Sequence, residues 1–253
     1  MIIRKRPAEI AKMRQAGRVV AETLAAVRSE IRAGVTTAHL DEVAEREIRA
    51  RGAIPSFKGY RGFPATICTS LNTEIVHGIP GEVVLKDGDL VKVDCGAIAE
   101  GYHGDAAITV PVGEPDPEAA RLMDATRRAL EAGIDAVRPG ARIGDIGAAV
   151  QAVAEGAGFS VVREYVGHGI GRALHEDPPV PNHGQAGKGF PLDEGMVIAI
   201  EPMINVGGYQ TRLLADGWTV VTADGTRSAH FEHTVAVTAD GHEVLTETAR
   251  GRE

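Results

Sequence analysis

The stretch Leu85–Asp94, LKDGDLVKVD, and the stretch Leu192–Glu201, LDEGMVIAIE, decide the fold. Each copy runs from Leu through an acidic residue and Gly into an apolar strand and ends on a carboxylate, and the copies lie 107 positions apart. A second match, at an offset of 106, aligns residues 32–53 with residues 138–159. Amphipathic helices that end in Gly can resemble each other by chance, but two collinear matches at nearly one offset favour an internal duplication.

Each half of the chain begins with two helical segments and continues with short strands. In the first half, apolar residues at helical spacing predict a helix over residues 7–31, and Thr36 or Thr37 starts a second helix that ends at Gly52. β-Rich runs follow, and one of them is residues 83–85.

The second half repeats this order, with helices over residues 117–137 and 143–155. Asp224-Gly225 and Asp240-Gly241 have the composition of hairpin turns. Helices gathered before strands in each half predict an α+β fold, in which antiparallel sheets are covered on one face by helices.

Length and composition favour one domain. A chain of 253 residues that is 43% hydrophobic can bury a large core, and the duplication favours two similar halves packed together. We therefore predict a single catalytic domain over residues 1–253, with halves of roughly residues 7–112 and 117–247.

Charge and cysteine content exclude several classes of protein. A net charge of −8 gives no electrostatic footprint for nucleic acid. Cys68 and Cys95 are too few for a disulfide framework or a Cys-rich zinc module, which fits a reducing compartment. We find no signal peptide and no apolar run of membrane-span length, so we expect a cytoplasmic protein with no membrane partner.

Four carboxylates interrupt strand-like segments. Asp94 and Asp105 are eleven residues apart across a Gly-containing stretch that suits a hairpin, and Glu201 and Glu232 lie in apolar runs of the second half. Two exposed turn acids, and for Glu232 a half-buried surface strand, are the simpler interpretations. Because an acid in a core strand needs a compensating partner, we favour two divalent cations that neutralise all four carboxylates.

Histidines follow the same Gly-rich pattern in both halves. His168 and His175 lie in YVGHGIGRALHEDP, and His77-Gly78-Ile79 is similar to His168-Gly169-Ile170. A single His is more often a hydrogen-bonded structural residue than a ligand. Here the residues themselves leave open which His binds metal and which acts on substrate.

With these residues, the chain resembles the type I methionine aminopeptidases. That family has the pita-bread fold, in which two pseudo-twofold-related halves surround a curved antiparallel sheet. The resemblance covers nearly the whole chain and rests on HGIGRALHEDP, on VIAIEPM and on five metal ligands in the matching order: Asp94, Asp105, His168, Glu201 and Glu232. It implies removal of N-terminal methionine, preferably when the second residue is small.

The resemblance also implies roles. Asp94 chelates one metal, Asp105 and Glu232 bridge both, and His168 with Glu201 completes the second. A hydroxide that bridges the metals attacks the scissile carbonyl, and Glu201 moves the proton to the departing amine. His175 stabilises the oxyanion, and His77 hydrogen-bonds the scissile amide.

A methionine pocket is implied next to this site. The resemblance assigns to it six residues: Phe57, Tyr60, Phe63, Cys68, Leu174 and Trp218. Many bacterial relatives have Cys, Tyr and Phe in place of Phe57, Phe63 and Leu174, so we expect a reshaped pocket. Without the resemblance, Phe57, Phe63 and Cys68 read as ordinary core residues.

Cofactors and partners follow from the resemblance as well. We expect two divalent ions (Co, Mn, Fe, Zn or Ni), and some relatives also bind a structural monovalent cation near the positions of Asn72, Glu74 and Ser228. The substrates are nascent polypeptide N-termini, after deformylation where it applies. A monomer is expected, and any ribosome contact is transient and uses the domain's own surface.

Two other functions compete with this one. Proline-directed aminopeptidases and dipeptidases of the same fold share the five ligands but usually carry an additional N-terminal domain. A binding protein on this fold would have lost ligands, whereas all five ligands and both histidines are present here.

Overall fold

The structure is a computed structural model that describes residues 2–247. Two helices open each half of the chain: α1 (Pro7–Glu30) and α2 (Thr37–Ala50), then α3 (Pro117–Asp135) and α4 (Ile143–Gly156). The strands of the first half are β1 (Ile54–Pro55), β2 (Ile67–Leu71), β3 (Glu74–Val76), β4 (Leu90–Ala99) and β5 (Tyr102–Pro111), with a 3-10 turn at Tyr60–Gly62 before β2. The strands of the second half are β6 (Ser160–Val161), β7 (Gly167–Gly169), β8 (Glu176–Val180), β9 (Val197–Ile200), β10 (Met203–Asn205), β11 (Thr211–Leu213), β12 (Val220–Thr222), β13 (Ser228–His230), β14 (His233–Thr238) and β15 (Gly241–Val244).

The second helix of each half illustrates why the sequence folds locally as predicted. Thr36 caps α2, because its hydroxyl oxygen accepts a hydrogen bond from the backbone N–H of His39. Leu40, Val43 and Ile48 recur at helical spacing and are buried against the first-half sheet. α2 and α4 both have 14 residues, and they fill equivalent places in the two halves.

Within residues 2–247 the strands form four sheets, and every strand pairing is antiparallel. In the first-half sheet, β5 pairs with β4 along its whole length, and β2 and β1 pair with successive parts of the other edge of β4. The second-half sheet has the order β15-β14-β9-β7-β8. Two three-stranded sheets complete the fold, in the orders β13-β10-β6 and β11-β12-β3. The helices cover these sheets, as the α+β pita-bread fold requires.

The duplication is visible in individual hydrogen bonds. The N–H of Gly34 donates to the carbonyl of Leu85 over 2.9 Å, and the N–H of Gly140 donates to the carbonyl of Leu192 over the same distance. Both glycines have left-handed backbones, with φ of 88° and 83°. The turn before the second helix therefore contacts the start of the repeated phrase in the same way in each half. The exact limits of the two halves stay predictions, and so does the statement that the halves form one catalytic domain.

The two large sheets meet beside the candidate site. Glu232 donates its N–H to the carbonyl of Ala107 over 2.9 Å and accepts from the Ala107 N–H over 3.3 Å. The Thr234 hydroxyl donates to the carbonyl of Asp105 and accepts from the Asp105 N–H. β5 and the start of β14 are therefore joined at the residues that carry the acidic side chains.

Two local predictions were wrong. Residues 83–85 do not form a strand: Val84 makes only an isolated bridge to Thr36, and Val83 is 55% exposed, because no neighbouring strand lies beside them. Asp224-Gly225 does not form a hairpin, since β12 pairs with β11 and β3 whereas β13 pairs with β10. The Asp240-Gly241 hairpin is confirmed by the pairing of β14 with β15.

Two further observations concern the chain as a whole. None of the helices within residues 2–247 combines the length and the hydrophobicity that a membrane span requires. Cys68 and Cys95 are both free and buried.

Candidate metal centre

One cavity of about 180 Å³ brings the predicted site residues together. All thirteen side chains that the sequence assigns to the site line it, and Arg61 is a fourteenth lining residue that the sequence did not indicate. The thirteen are Phe57, Tyr60, Phe63, Cys68, His77, Asp94, Asp105, His168, Leu174, His175, Glu201, Trp218 and Glu232.

The β4–β5 hairpin positions the two acids of the first half. In its register, Asp94 lies opposite Ala107 and Asp105 lies opposite Gly96. Because alternate residues of a strand share one face of the sheet, Asp94 and Asp105 project from the same face as diagonal neighbours. Gly96 is required between them, since a Cβ at this position would come within 2.7 Å of the Phe57 ring.

The second half supplies the remaining groups from one strand and from two positions next to strand ends. His168 lies at the centre of β7, Glu201 follows β9, and Glu232 lies between β13 and β14. His168 Nε2 is 3.5 Å from Glu201 Oε1 and 4.0 Å from Asp105 Oδ2. One ligand atom each of Asp105, His168 and Glu232 lies within 4.8 Å of the others, which is the spacing of ligands around a common ion.

The hydrogen bond of His168 selects its tautomer. Nδ1 lies 2.9 Å from the carbonyl oxygen of Gly169, and a carbonyl can only accept, so Nδ1 carries the proton. Nε2 then has a free lone pair, and it is the nitrogen that faces the carboxylates. Metal-ligating histidines are commonly oriented by such a bond from their other nitrogen.

The carboxylates lack compensation from the protein. Asp94 Oδ1, Asp105 Oδ1 and Glu232 Oε1 are buried and have no hydrogen-bond partner within residues 2–247. Burial raises the pKa of Asp94 to about 7, and it raises the pKa of Asp105, Glu201 and Glu232 well above the usual range, with mutual repulsion adding to the effect. A cluster of four carboxylates and one imidazole with unpaired oxygens fits divalent cations.

Two further histidines, His77 and His175, line the cavity. The Tyr60 hydroxyl is 2.8 Å from His175 Nδ1, and the His175 ring lies 4.2 Å from the ring of His168. His77 has a left-handed backbone with φ of 62°, which is uncommon for a residue with a side chain and typical of functional sites. Burial lowers the pKa of both histidines, to about 4 for His77, so both rings are neutral at pH 7.

The apolar wall of the cavity comes mainly from the first half. Phe57, Phe63, Cys68 and Leu174 are buried, and Phe63 meets Trp218 edge to face at 5.1 Å between ring centroids. These side chains form an apolar compartment beside the acids, and the edge-to-face ring contact is a favourable arrangement of aromatic side chains.

Arg61 was missed because nothing around it in the sequence marks it as a site residue. It follows Tyr60 in a turn with a left-handed backbone, and its exposed guanidinium lies 5.4 Å from the Tyr60 ring centroid. Only the tertiary position of this turn brings Arg61 to the mouth of the cavity.

A buried ion pair holds the His175 loop. Lys5 Nζ lies 2.8 Å from Glu176 Oε2, and the two side chains are only 3% and 8% exposed. Glu176 also accepts from the N–H of Ala173 through Oε1, so the pair fixes both sides of His175. Breaking one partner of such a pair leaves an uncompensated buried charge.

We therefore expect Lys5→Met to destabilise the protein by about 3–5 kcal/mol in urea unfolding and to lower kcat/KM. The double variant Lys5→Met, Glu176→Met removes both charges and should recover most of the lost stability. Lys12→Met, at a surface ion pair of 4.0 Å with Glu100, serves as control and should leave stability nearly unchanged. A double variant no more stable than Lys5→Met would contradict the ion-pair account.

Residues 11–239 match the sequence profile of Metallopeptidase family M24. The chain belongs to this family. It is 52% identical over 246 residues to methionine aminopeptidase 1 of Bacillus subtilis. The aligned region covers 97% of this chain and 99% of that relative. M24 metallopeptidases use divalent metal ions, so the acidic cluster and His168 match the chemistry of the family.

Solved structures within the family extend the likeness to the fold. The crystal structure of methionine aminopeptidase from Thermotoga maritima has a TM-score of 0.97 and 46% identity, covering 98% of this chain and 100% of that one. Prolidase from Pyrococcus furiosus has a TM-score of 0.78 and 24% identity, and this chain spans only 66% of its length. The prolidase therefore shares the fold, whereas the bacterial type I methionine aminopeptidases match in sequence, fold and length.

The raised carboxyl pKa values predict pH-dependent metal binding. A carboxyl whose pKa is raised keeps its proton to higher pH, and a metal must displace that proton. Metal affinity should therefore rise between about pH 6 and about pH 8, with up to about a tenfold gain per pH unit for each proton displaced. Calorimetry in two buffers of different ionisation enthalpy measures the released protons, and an affinity that does not vary over this range would contradict the prediction.

Proposed function

We propose that this chain removes the N-terminal methionine from nascent polypeptides, preferably when the second residue is small. One observation carries the proposal: a single cavity is lined by four carboxylates, by His168 and by a group of apolar side chains. The relatives of highest similarity reported above are named methionine aminopeptidases. Where the nascent chain is formylated, deformylation comes first, because the reaction needs a free amino terminus.

We assign the metal ligands as follows. Asp94 would hold one of two ions, Asp105 and Glu232 would serve both, and His168 Nε2 and Glu201 would hold the other. The ions are first-row divalent metals, Co, Mn, Fe, Zn or Ni, since carboxylates and imidazole together accept all of these. When bound, they supply a water activated for attack at neutral pH and polarise the scissile carbonyl.

His175 stabilises the negative charge that develops on the carbonyl oxygen. The Tyr60 hydroxyl lies 2.8 Å from Nδ1. We assign the hydroxyl as the donor, so that the neutral ring carries its proton on Nε2 and can donate it to the carbonyl oxygen. Burial and the nearby guanidinium of Arg61 lower the pKa of His175 and keep the ring neutral. A fixed donor of this kind needs little reorganisation when the charge appears.

Glu201 and His77 complete the set of acting groups. The Glu201 carboxyl faces His168 at 3.5 Å, and its raised pKa suits a group that takes a proton and passes it to the departing amine. His77 is held by its left-handed backbone, and Gly78 lets it approach β2, because a Cβ at Gly78 would overlap the carbonyl of Thr69. We assign His77 to hydrogen-bonding the scissile amide.

The apolar compartment accommodates the methionine side chain. Phe57, Phe63, Cys68, Leu174 and Trp218 line it, with Tyr60 at its edge next to His175. A flexible thioether fits an aromatic-lined pocket and gains favourable sulfur–aromatic contacts. Because Tyr60 lines the cavity and contacts His175 over 2.8 Å, it links recognition of the side chain to the position of His175.

The test of this function is a competition between two peptides. With purified metal-loaded protein, we expect kcat/KM for Met-Ala-Ser to exceed that for Ala-Pro-Ala by at least about 100-fold, since one pocket contact is worth 1–3 kcal/mol and several differ between the peptides. Preferential cleavage of Ala-Pro-Ala would replace the proposal with a proline-directed activity on the same fold.

A further inference from the structure

A buried lysine lies two residues before the first metal-site acid. Lys92 is in the middle of β4, and only 1% of it is exposed. Its ammonium donates to the backbone carbonyl of Asn72 over 2.8 Å and to the backbone carbonyl of Ser228 over 3.1 Å. Asn72 belongs to the first half of the chain and Ser228 to the second, so one positive charge joins the halves.

The two carbonyls are held in place independently of the lysine. Asn72 has a left-handed backbone with φ of 50°, and its side chain bonds to Asp89 and to the N–H of Leu90. The N–H of Ser228 donates to the carbonyl of Asn72 over 3.0 Å, and the Ser228 hydroxyl donates to another backbone carbonyl. Converging carbonyl oxygens that are fixed by the fold form a preorganised site for a cation.

The surrounding charge also favours a cation. Burial lowers the pKa of Lys92 to about 7, whereas the carboxylates of Glu74 and Asp89 oppose this shift and stabilise the ammonium. Glu74 itself is fixed, because it accepts from the N–H of Leu71 over 2.7 Å. A single positive charge between two carbonyls and near two carboxylates is the arrangement that a bound potassium or sodium ion would otherwise provide.

The family resemblance implies that some relatives hold a monovalent cation near the positions of Asn72, Glu74 and Ser228. In this structure the carbonyls of Asn72 and Ser228 already accept from Lys92, and a second positive charge at the same oxygens would be repelled by the ammonium. The residues present therefore do not fit a monovalent ion. We infer that the Lys92 ammonium replaces this ion, so that the chain carries its own structural cation and needs no potassium or sodium at this position.

The replacement has a consequence for the metal centre. The Asn72 turn leads through β3 to His77, and Ser228 starts the strand that leads to Glu232. Lys92 thus fixes the separation of two segments that line the cavity from opposite halves. It acts as a positioning residue that supports the site from outside the cavity.

Stability measurements test the inference without relying on peptidase activity. For wild-type protein loaded with Mn²⁺, Tm should be the same in potassium, sodium and choline chloride at equal ionic strength. Lys92→Ser exposes the carbonyls and leaves space, so we expect Tm to fall by roughly 5–10 °C and to recover by at least about half in potassium or sodium but not in choline. Lys92→Met fills the space without a charge, and its Tm should fall without recovery in any salt.

The control is Lys86→Ser, a substitution of an exposed lysine just before the same strand, which should leave Tm and its salt response unchanged. Wild-type protein that is stabilised by potassium or sodium over choline would overturn the inference, and so would a Lys92→Ser variant that folds but shows no such preference. If Lys92→Ser does not fold, wild-type crystals soaked in Tl⁺ decide. Anomalous density between Asn72 and Ser228 would overturn the inference, and its absence at full Mn²⁺ occupancy would support it.

Discussion

Asp105→Asn should reduce turnover of a Met-Ala-Ser peptide by at least about 1,000-fold, because the amide loses the anionic oxygen that we assign to both metal ions. The metal-free variant should remain folded. A carboxyl with a raised pKa destabilises the folded state above its unfolded pKa, so a neutral amide of the same shape removes that cost at pH 7. Metal content by mass spectrometry and Tm with and without Mn²⁺ are the measurements.

The control for this prediction is Asp135→Asn, at an exposed residue at the end of α3, which should retain wild-type metal content and turnover. The wild type should gain stability on metal addition, by an amount that grows with metal concentration, whereas Asp105→Asn should gain much less. Unchanged metal stoichiometry in Asp105→Asn would remove Asp105 from the bridging position.

His175→Ala should lower kcat by roughly 100–1,000-fold while leaving metal content unchanged, because it removes one hydrogen-bond donor to the developing oxyanion. KM should change little, since the residues to which we assign the methionine side chain do not include His175. Steady-state kinetics and metal analysis on the same preparation separate these effects.

Tyr60→Phe is the matched variant for His175, because it keeps the aromatic wall and removes only the hydroxyl that bonds to Nδ1. We expect a smaller loss in kcat, on the order of 10-fold, as the imidazole loses its fixed tautomer. A His175→Ala enzyme with normal kcat would exclude His175 from the chemical step. A Tyr60→Phe loss as large as that of His175→Ala would indicate that Tyr60 itself contacts the reacting atoms.

The parts of the fold that the sequence predicted are those governed by local pattern. Apolar spacing and the Thr36 cap located α2, and the match between residues 32–53 and 138–159 located its counterpart α4. The β4–β5 hairpin was predictable because Gly101 at its turn and the strand-forming runs on both sides of it are close together in the sequence.

Strand partners were less predictable, because they depend on residues far away in sequence. Residues 83–85 have strand composition but no strand lies next to them. Asp224-Gly225 has the composition of a hairpin turn, yet β12 pairs with β3 from the other half. In both cases a tertiary arrangement overrides a correct local preference.

Among the residues of the candidate site, too, some were predictable from the sequence and others were not. Carboxylates that interrupt apolar strands are visible in the sequence, since a buried charge needs a partner, and the family resemblance then ordered them. Arg61 gave no such signal, and although Lys92 also interrupts an apolar strand, the sequence did not identify its partners. Lys92 lies inside the opening phrase LKDGDLVKVD, but its partners are backbone carbonyls of Asn72 and Ser228, and backbone atoms leave no trace in residue identity.

The most direct test of the account is the position of bound metal in crystals of the protein loaded with Mn²⁺, measured by anomalous scattering. We expect two anomalous-density peaks in the cavity. Asp105 and Glu232 should contact both peaks, and His168 Nε2 should contact only one of them. Peaks away from these side chains would contradict the account, as would a protein without metal at the cavity that still cleaves Met-Ala-Ser.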